Sequence, residues 1–323
     1  MSLSSPWNTG PLEVRCWGVS QSPMKGRRRF WSIKTEEIVT GYLCLVPTLL
    51  YAAVFLVFPV FFSLVLSFQR WPMFGPKKYV GWQNYQRILQ DEVFWLGLKN
   101  ALVYAVLYVP LSIILALAVA MLLNQPIRGV NLYRTGYFVP VVTSGVAVAV
   151  VWSFLFNTDY GLFNDFLTRV GLPRVGWLTD PDVAMISVVI FSLWKGLGGN
   201  VVLYLAALQG VPRHLYEAAR IDGAGTWDQF RYITWPLVTP TTFFMFIMGV
   251  IGAIQVFEQI YIMTGGGPMR ATYVVFMYMY DYAFRYNEMG YASAVGYLMA
   301  IIIFALTIIN MKVSGKYVYY EQG

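Results

Sequence analysis

Two charged side chains, Lys195 and Glu258, sit inside stretches otherwise apolar enough to enter a bilayer. Charge at membrane depth is costly, so such residues turn toward a bundle interior or an aqueous cavity and are candidates for a functional site. Gln255 lies one helical turn before Glu258 and Tyr261 one turn after it, which gives one polar and aromatic face. Carboxylate and amide groups hydrogen-bond to hydroxyls and a ring offers a stacking surface, so this face suits a polyhydroxylated cargo. Trp194, Lys195, Asn200 and Tyr204 make a comparable set in an earlier run, where Gly196, Gly198 and Gly199 leave room for a helix or a ligand to come close. The plainer alternatives are that Asn, Gln and Gly join helices together, and that Lys195 pairs with Glu258 or reaches toward headgroups.

Other chemistries lack their residues. No phosphate-cradling G-x-x-x-x-G-K-[ST] run occurs, because Gly196-Leu197-Gly198-Gly199 and Gly265-Gly266-Gly267 have no following Lys. The lone histidine, His214, has no partners for metal binding or catalysis and reads as a surface or docking residue. Cys16 and Cys44, one in the polar tail and one in the first apolar run, form neither a disulfide framework nor a metal site. No catalytic residue, no metal and no bound cofactor is therefore expected, and a membrane-embedded enzyme ranks last among the readings. Twenty-three Lys and Arg stand against 16 Asp and Glu, spread over tails and loops without a nucleic-acid stripe, so no nucleic-acid partner is expected.

The elements that must position Lys195 and Glu258 are membrane helices. Charged residues make up 12% of the chain, about half the usual share of a soluble domain, while 58% of it is hydrophobic. The expected fold class is all-α, a polytopic membrane protein with six spans near 42–68, 100–123, 137–156, 183–208, 243–263 and 290–311. Residues 1–35 read as a disordered cytoplasmic tail without a secretory h-region, ahead of a transmembrane domain over 36–323. Met24, followed by Lys25, Arg27, Arg28, Arg29 and Lys34, looks like a more typical membrane-protein start. The polar connection 69–99 is expected to fold into short helices on the far surface.

Arg128, Arg134, Arg213, Arg220, Arg231, Lys312 and Lys316 share one side with the basic tail, almost without acids near the spans. That side is expected to be cytoplasmic, which puts both termini inside. It also carries the most patterned polar stretch, 211–240. Leu215, Ala218, Ala219 and Ile221 recur at near-helical spacing, and Gly223 with Gly225 supplies a helix stop. Phe230 and Ile233 mark a second amphipathic turn, closed by Pro236 and Pro240 where an apolar run begins. Taken alone, such a helix lies at the lipid interface more often than it docks a partner.

Glu217-Ala218-Ala219, Asp222-Gly223-Ala224, Phe230, Ile233, Pro236 and Pro240 together resemble the EAA loop of ATP-binding-cassette (ABC) importer permeases. Val80-Gly81-Trp82-Gln83-Asn84-Tyr85 and the passage from Phe257 to Pro268 are similar to the carbohydrate-uptake branch, specifically the first permease of maltose, trehalose and glycerol-phosphate type systems. The usual acid after that Phe is Asp, where this chain has Glu258. The resemblance covers the chain from about Tyr42 onward. It implies a type I importer permease fold in a bacterial inner membrane, in which Tyr216, Glu217, Ala218, Ala219, Asp222 and Gly223 form a coupling helix that docks on an ATPase subunit. It further implies a second homologous permease, two ABC ATPase subunits that use ATP and Mg, an extracytoplasmic binding protein and a sugar substrate. The competing reading is an ion-gradient-driven secondary transporter in which Lys195 and Glu258 form a relay.

Overall fold

A computed structural model describes residues 29–72, 75–125 and 129–314. The tail 1–28, Lys25, Arg27, Arg28, Arg128 and Lys316 lie outside the described residues. Residues 1–59 and 60–323 form two compact units. In the first, helix α1 (Arg29–Ala52) begins inside the segment expected to be tail and runs into a π-helical turn at Ala53–Val57.

Helix α2 (Phe58–Ser67) starts at the end of the first unit and continues as the opening of the second, where a two-residue antiparallel hairpin follows, β1 (Gln69–Arg70) and β2 (Lys78–Tyr79). There follow α3 (Gln83–Gln90), α4 (Glu92–Leu123), α5 (Val130–Val142), α6 (Gly145–Leu155), α7 (Leu162–Arg169) and α8 (Pro181–Gly210). The chain continues through α9 (Arg213–Ile221), α10 (Thr226–Gln229), α11 (Trp235–Ile254), α12 (Glu258–Met263), α13 (Val275–Tyr280) and α14 (Met289–Ser314). A π-helical turn, Phe230–Thr234, joins α10 to α11, so one helical stretch runs from Thr226 to Ile254.

Glu37–Ser67, Glu92–Leu123, Pro181–Gly210, Thr226–Ile254 and Met289–Lys312 are long and apolar enough to cross a membrane. α5 and α6, bent by 101° at their break, make a sixth where the pair is read as one span. Six spans were expected, but two differ in form. The third is broken, because Thr143 and Ser144 leave the helical region between α5 and α6, three residues after Pro140. The fifth is not one helix over 243–263: it starts at Thr226 and stops at Ile254, and the non-helical Phe257 (φ −148°, ψ −60°) separates it from α12.

The largest core lies between α4, α8 and α11. Ala101, Ala105, Ala116 and Ala120 on α4 are buried, and such small side chains let neighbouring helices come close. Tyr204 of α8 is fully buried there, and its hydroxyl donates to Thr242 Oγ1 at 2.9 Å. A second core joins α3 and the start of α4 to α13 and α14. Asp91 ties it down by accepting from Val93 N at 2.9 Å, as the N-cap of α4, and from the Tyr278 hydroxyl at 2.6 Å. Burial, reinforced by that bond to Asp91, holds the Tyr278 hydroxyl protonated well above the ordinary tyrosine range.

The connection between α6 and α8 is organised by Asn164 of α7, which is 1% exposed. Its amide donates to Thr158 O and Val175 O, and its oxygen accepts from Val175 N and Trp177 Nε1, all within 3.1 Å. Replacing Asn164 with Ala strands these four groups in a buried site. The variant should lose about 3 kcal/mol of stability, read as a lowered unfolding temperature in detergent, whereas an unchanged temperature would remove Asn164 as the hub.

Candidate functional site

Lys195 lies midway along α8, where α5 packs antiparallel against it. Contact is closest at Gly198, where an added β-carbon would meet the Tyr137 carbonyl and come within 2.9 Å of Val141. Three residues earlier, the Lys195 ammonium donates to Pro140 O at 3.1 Å and to Thr143 O at 3.0 Å. These carbonyls belong to the end of α5, where the break removes their backbone donors and the helix dipole presents negative charge; Pro140 O also accepts from Thr143 Oγ1 at 2.7 Å. The charge on Lys195 is thus used to close a broken helix.

Glu258 approaches the same break from the other side. A β-carbon at Gly145, the first residue of α6, would collide with the Glu258 carboxylate and come within 3.4 Å of Lys195 Cε. The carboxylate therefore lies against the positive end of α6 while the ammonium lies against the negative end of α5. Among the described residues no ion pair links Lys195 to Glu258. The two charges meet across a backbone break that each of them complements.

A cavity of about 400 Å³ opens beside them. Lys195, Asn200 and Glu258 line it, as the sequence suggested. Trp194, Tyr204, Gln255 and Tyr261 do not. Trp194 packs on Trp152 with ring centroids 5.1 Å apart, and Tyr204 belongs to the core. Gln255 caps the end of α11 and is exposed, so the face expected to join it to Glu258 and Tyr261 is split by the helix break. Tyr261 stacks on Phe257 at 5.3 Å instead.

In their place α4 contributes Tyr104, Tyr108 and Ser112, spaced four residues apart on one helical face, while α8 contributes Ser192 and α12 contributes Gln259. Gln259 Nε2 donates to Tyr104 Oη at 3.2 Å and to Ser192 Oγ at 3.4 Å, and Tyr104 stacks on Tyr108 with 10° between ring planes. The four-residue recurrence of hydroxyl-bearing residues was the signal that could have located this wall. Phe191, Leu203, Phe244, Met245 and Met248 complete the wall, so the void sets hydroxyls, amides and one carboxylate, which can exchange hydrogen bonds with a polyol, beside apolar surface.

The second site is α9. His214, Glu217, Ala218 and Ile221 recur at i, i+3, i+4 and i+7 and are all exposed, Ile221 at 86%. Leu215, Tyr216 and Ala219 face inward and are half-buried. The helix ends at Asp222 in a Schellman turn: Ala224 N donates to Ala219 O at 2.8 Å, Gly223 N donates to Arg220 O at 3.1 Å, and Gly223 has φ +82°. The Tyr216 hydroxyl meets Thr234 Oγ1 at 2.9 Å, fastening α9 to the start of α11.

The family profile described as binding-protein-dependent transport system inner membrane component matches residues 99–319. The chain belongs to that family. A probable ABC transporter permease protein, YurN of Bacillus subtilis, is 38% identical over 282 residues, covering 86% of this chain and 96% of the relative. The lactose transport system permease protein LacF of Rhizobium radiobacter is 36% identical, with 86% and 95% covered. The trehalose/maltose transport system permease protein MalF of Thermococcus litoralis is 35% identical, with 87% and 95% covered. A crystal structure of a bacterial ABC transporter involved in import of the acidic polysaccharide alginate shares the fold, with a TM-score of 0.79 at 24% identity over 91% of this chain and all of that one. Permease membership leaves the ion-gradient reading without support, and Lys195, bonded to two backbone carbonyls, is a poor relay partner.

Removing the ammonium tests the clamp. Lys195→Met should insert normally yet lose about 1–3 kcal/mol, the cost of leaving Thr143 O unpaired while Pro140 O keeps only its bond from Thr143 Oγ1, and Lys195→Arg should recover most of it. Thermal unfolding of the purified variants reads this directly, and a Met variant as stable as the parent would rule the clamp out.

Proposed function

We propose that this chain is the transmembrane permease subunit of an ABC importer that carries a sugar, a di- or oligosaccharide or related glycoside, handed over by an extracytoplasmic binding protein. The observation that carries the reading is near full-length similarity to permeases named for lactose and for trehalose/maltose transport, joined to a cavity whose wall includes hydroxyls and amides. The cargo is taken to be uncharged, because Lys195, the one cation at the cavity, is already bonded to Pro140 and Thr143.

In this reading the assembly contains a second homologous permease and two ABC ATPases, which use ATP and Mg, in a bacterial inner membrane with both termini cytoplasmic. The exposed stripe Glu217, Ala218 and Ile221 enters a groove on the ATPase, where alanine permits close approach and Glu217 offers a charge-assisted bond. Tyr216 and Ala219 hold the helix to the permease, and Asp222 and Gly223 end it. Closure of the ATPases then moves α9 and switches the cavity between inward-facing and outward-facing packings.

Gly223 provides the test. A β-carbon there meets nothing within 4 Å, so only the left-handed backbone resists substitution. Gly223→Val should strain the turn by about 1–2 kcal/mol and cut ATP-driven uptake roughly tenfold with membrane insertion unchanged. Gly223→Asn, which tolerates this conformation, should stay near the parent. Uptake of candidate glycosides by the reconstituted assembly measures both, and normal coupled transport by the Val variant would refute the lever. Transport by the chain alone without ATP would refute the importer reading itself.

A further inference from the structure

α4 ends at Leu123 and α8 at Gly210, and together with α9 and the first turns of α5 they border a second cavity, of about 770 Å³. Both helix ends are also ends of membrane-crossing segments, so this cavity opens at headgroup depth. Three guanidinium groups line it, Arg134 from α5 and Arg213 and Arg220 from α9, with the amides of Asn124 and Gln125. Glu217 is the one acid there. None of the three arginines is in an ion pair among the described residues, and Nε of the half-buried Arg134 is enclosed without any acceptor. Folded proteins leave few such donors unmet.

Arg213 and Arg220 are seven residues apart and so share one side of α9, roughly a quarter-turn around from the stripe of His214, Ala218 and Ile221. Glu217, assigned above to the ATPase surface, stands between the two arginines and lines the same cavity, so the two surfaces adjoin along α9. Next to the cavity, Leu122, Leu132 and Tyr133 are exposed at 61%, 78% and 57%, an apolar flank continuous with the lipid-facing helices.

We infer that this cavity binds a phosphate-bearing anion, the headgroup of an anionic phospholipid whose acyl chains lie along Leu122, Leu132 and Tyr133. Guanidinium forks match phosphate oxygens in pairs, and basic pockets between spans at the membrane surface are suited to such headgroups. Arg134 supplies the buried contact and Arg213 and Arg220 the outer ones, so an occupied site would tie α9 to the ends of α4 and α5.

The test is native mass spectrometry of the full-length chain, alone and in its assembly with partner permease and ATPases, taken from bilayers of phosphatidylglycerol and phosphatidylcholine in equal parts. Preferential retention of phosphatidylglycerol is expected in both forms. Arg134→Gln should weaken retention by about fivefold, and so should Arg213→Gln and Arg220→Gln, which lie on the surface and leave the fold intact. Equal retention of the two lipids, or retention indifferent to all three substitutions, would overturn the site. Displacement of the lipid by millimolar inorganic phosphate would reassign it to a free anion. Loss of phosphatidylglycerol on ATPase binding would mean that an acidic side chain of that partner occupies it.

Discussion

Hydrocarbon offers no hydrogen bonds, so a helix broken within a bilayer must find new donors for the carbonyls it frees, at several kcal/mol for each one missed. The turn at Thr143–Ser144 poses that problem, and the ammonium of Lys195 answers it together with the Thr143 hydroxyl, which also donates to Pro140 O. Much of the interior follows from this. With the end of α5 held against α8, α6 leaves at 101° and packs on α12, which brings Gly145 under the Glu258 carboxylate. The cavity exists because a span that turns aside leaves space that a straight one would fill. Lys195 and Glu258 belong to its wall by way of the backbone they support.

A mechanical connection runs from α9, the proposed coupling helix, to that cavity. α9 is fixed to the base of α11 through Tyr216 and Thr234, and the intervening turn is closed by Gln229 donating to Ala224 O at 3.0 Å. From Thr226 the chain is helical to Ile254. At 1.5 Å per residue this rod is about 43 Å long, enough to cross a bilayer. Its far end places Gly252 and Ala253 at the cavity, followed at once by the break that leads into Glu258 and Gln259. A tilt of α9 therefore reaches the groups around the proposed cargo through one rigid element, with the break at 255–257 as the place where the rod can pivot.

The parts legible in the sequence were those governed by local rules. Five helices of membrane-crossing length followed from hydropathy, and α9 with its glycine stop followed from spacing, Gly223 taking a positive φ. The breaks were not legible. Pro140 sits three residues ahead of the turn, and membrane helices often carry proline without breaking, while 255–257 contains neither Pro nor Gly. Assuming an unbroken fifth span put Gln255 and Tyr261 on the face of Glu258, whereas the break sends Gln255 to the surface and Tyr261 into an aromatic stack. Tyr204 failed as a cavity residue for another reason: whether a tyrosine faces a void or a core depends on the neighbouring helix, and α11 supplies Thr242 to satisfy it.

The hydrogen bonds already present in the cavity bear on how cargo is held. Tyr104, Ser192 and Gln259 satisfy one another, so a hydroxyl entering beside them replaces existing bonds, whereas Tyr108 and Asn200 face the same cavity with no side-chain hydrogen bond among the described residues. Such exchange is worth only about 0.5–1.5 kcal/mol for each bond. The stacked Tyr104–Tyr108 pair adds ring surface to the wall of the same cavity. A site of this kind binds weakly and reads its ligand coarsely. For the proposed subunit that is an advantage, since cargo held tightly at mid-membrane would have to be torn free in each cycle. Discrimination among sugars then falls to the binding protein that delivers them, and the permease needs only a passage that hydroxyl groups can cross.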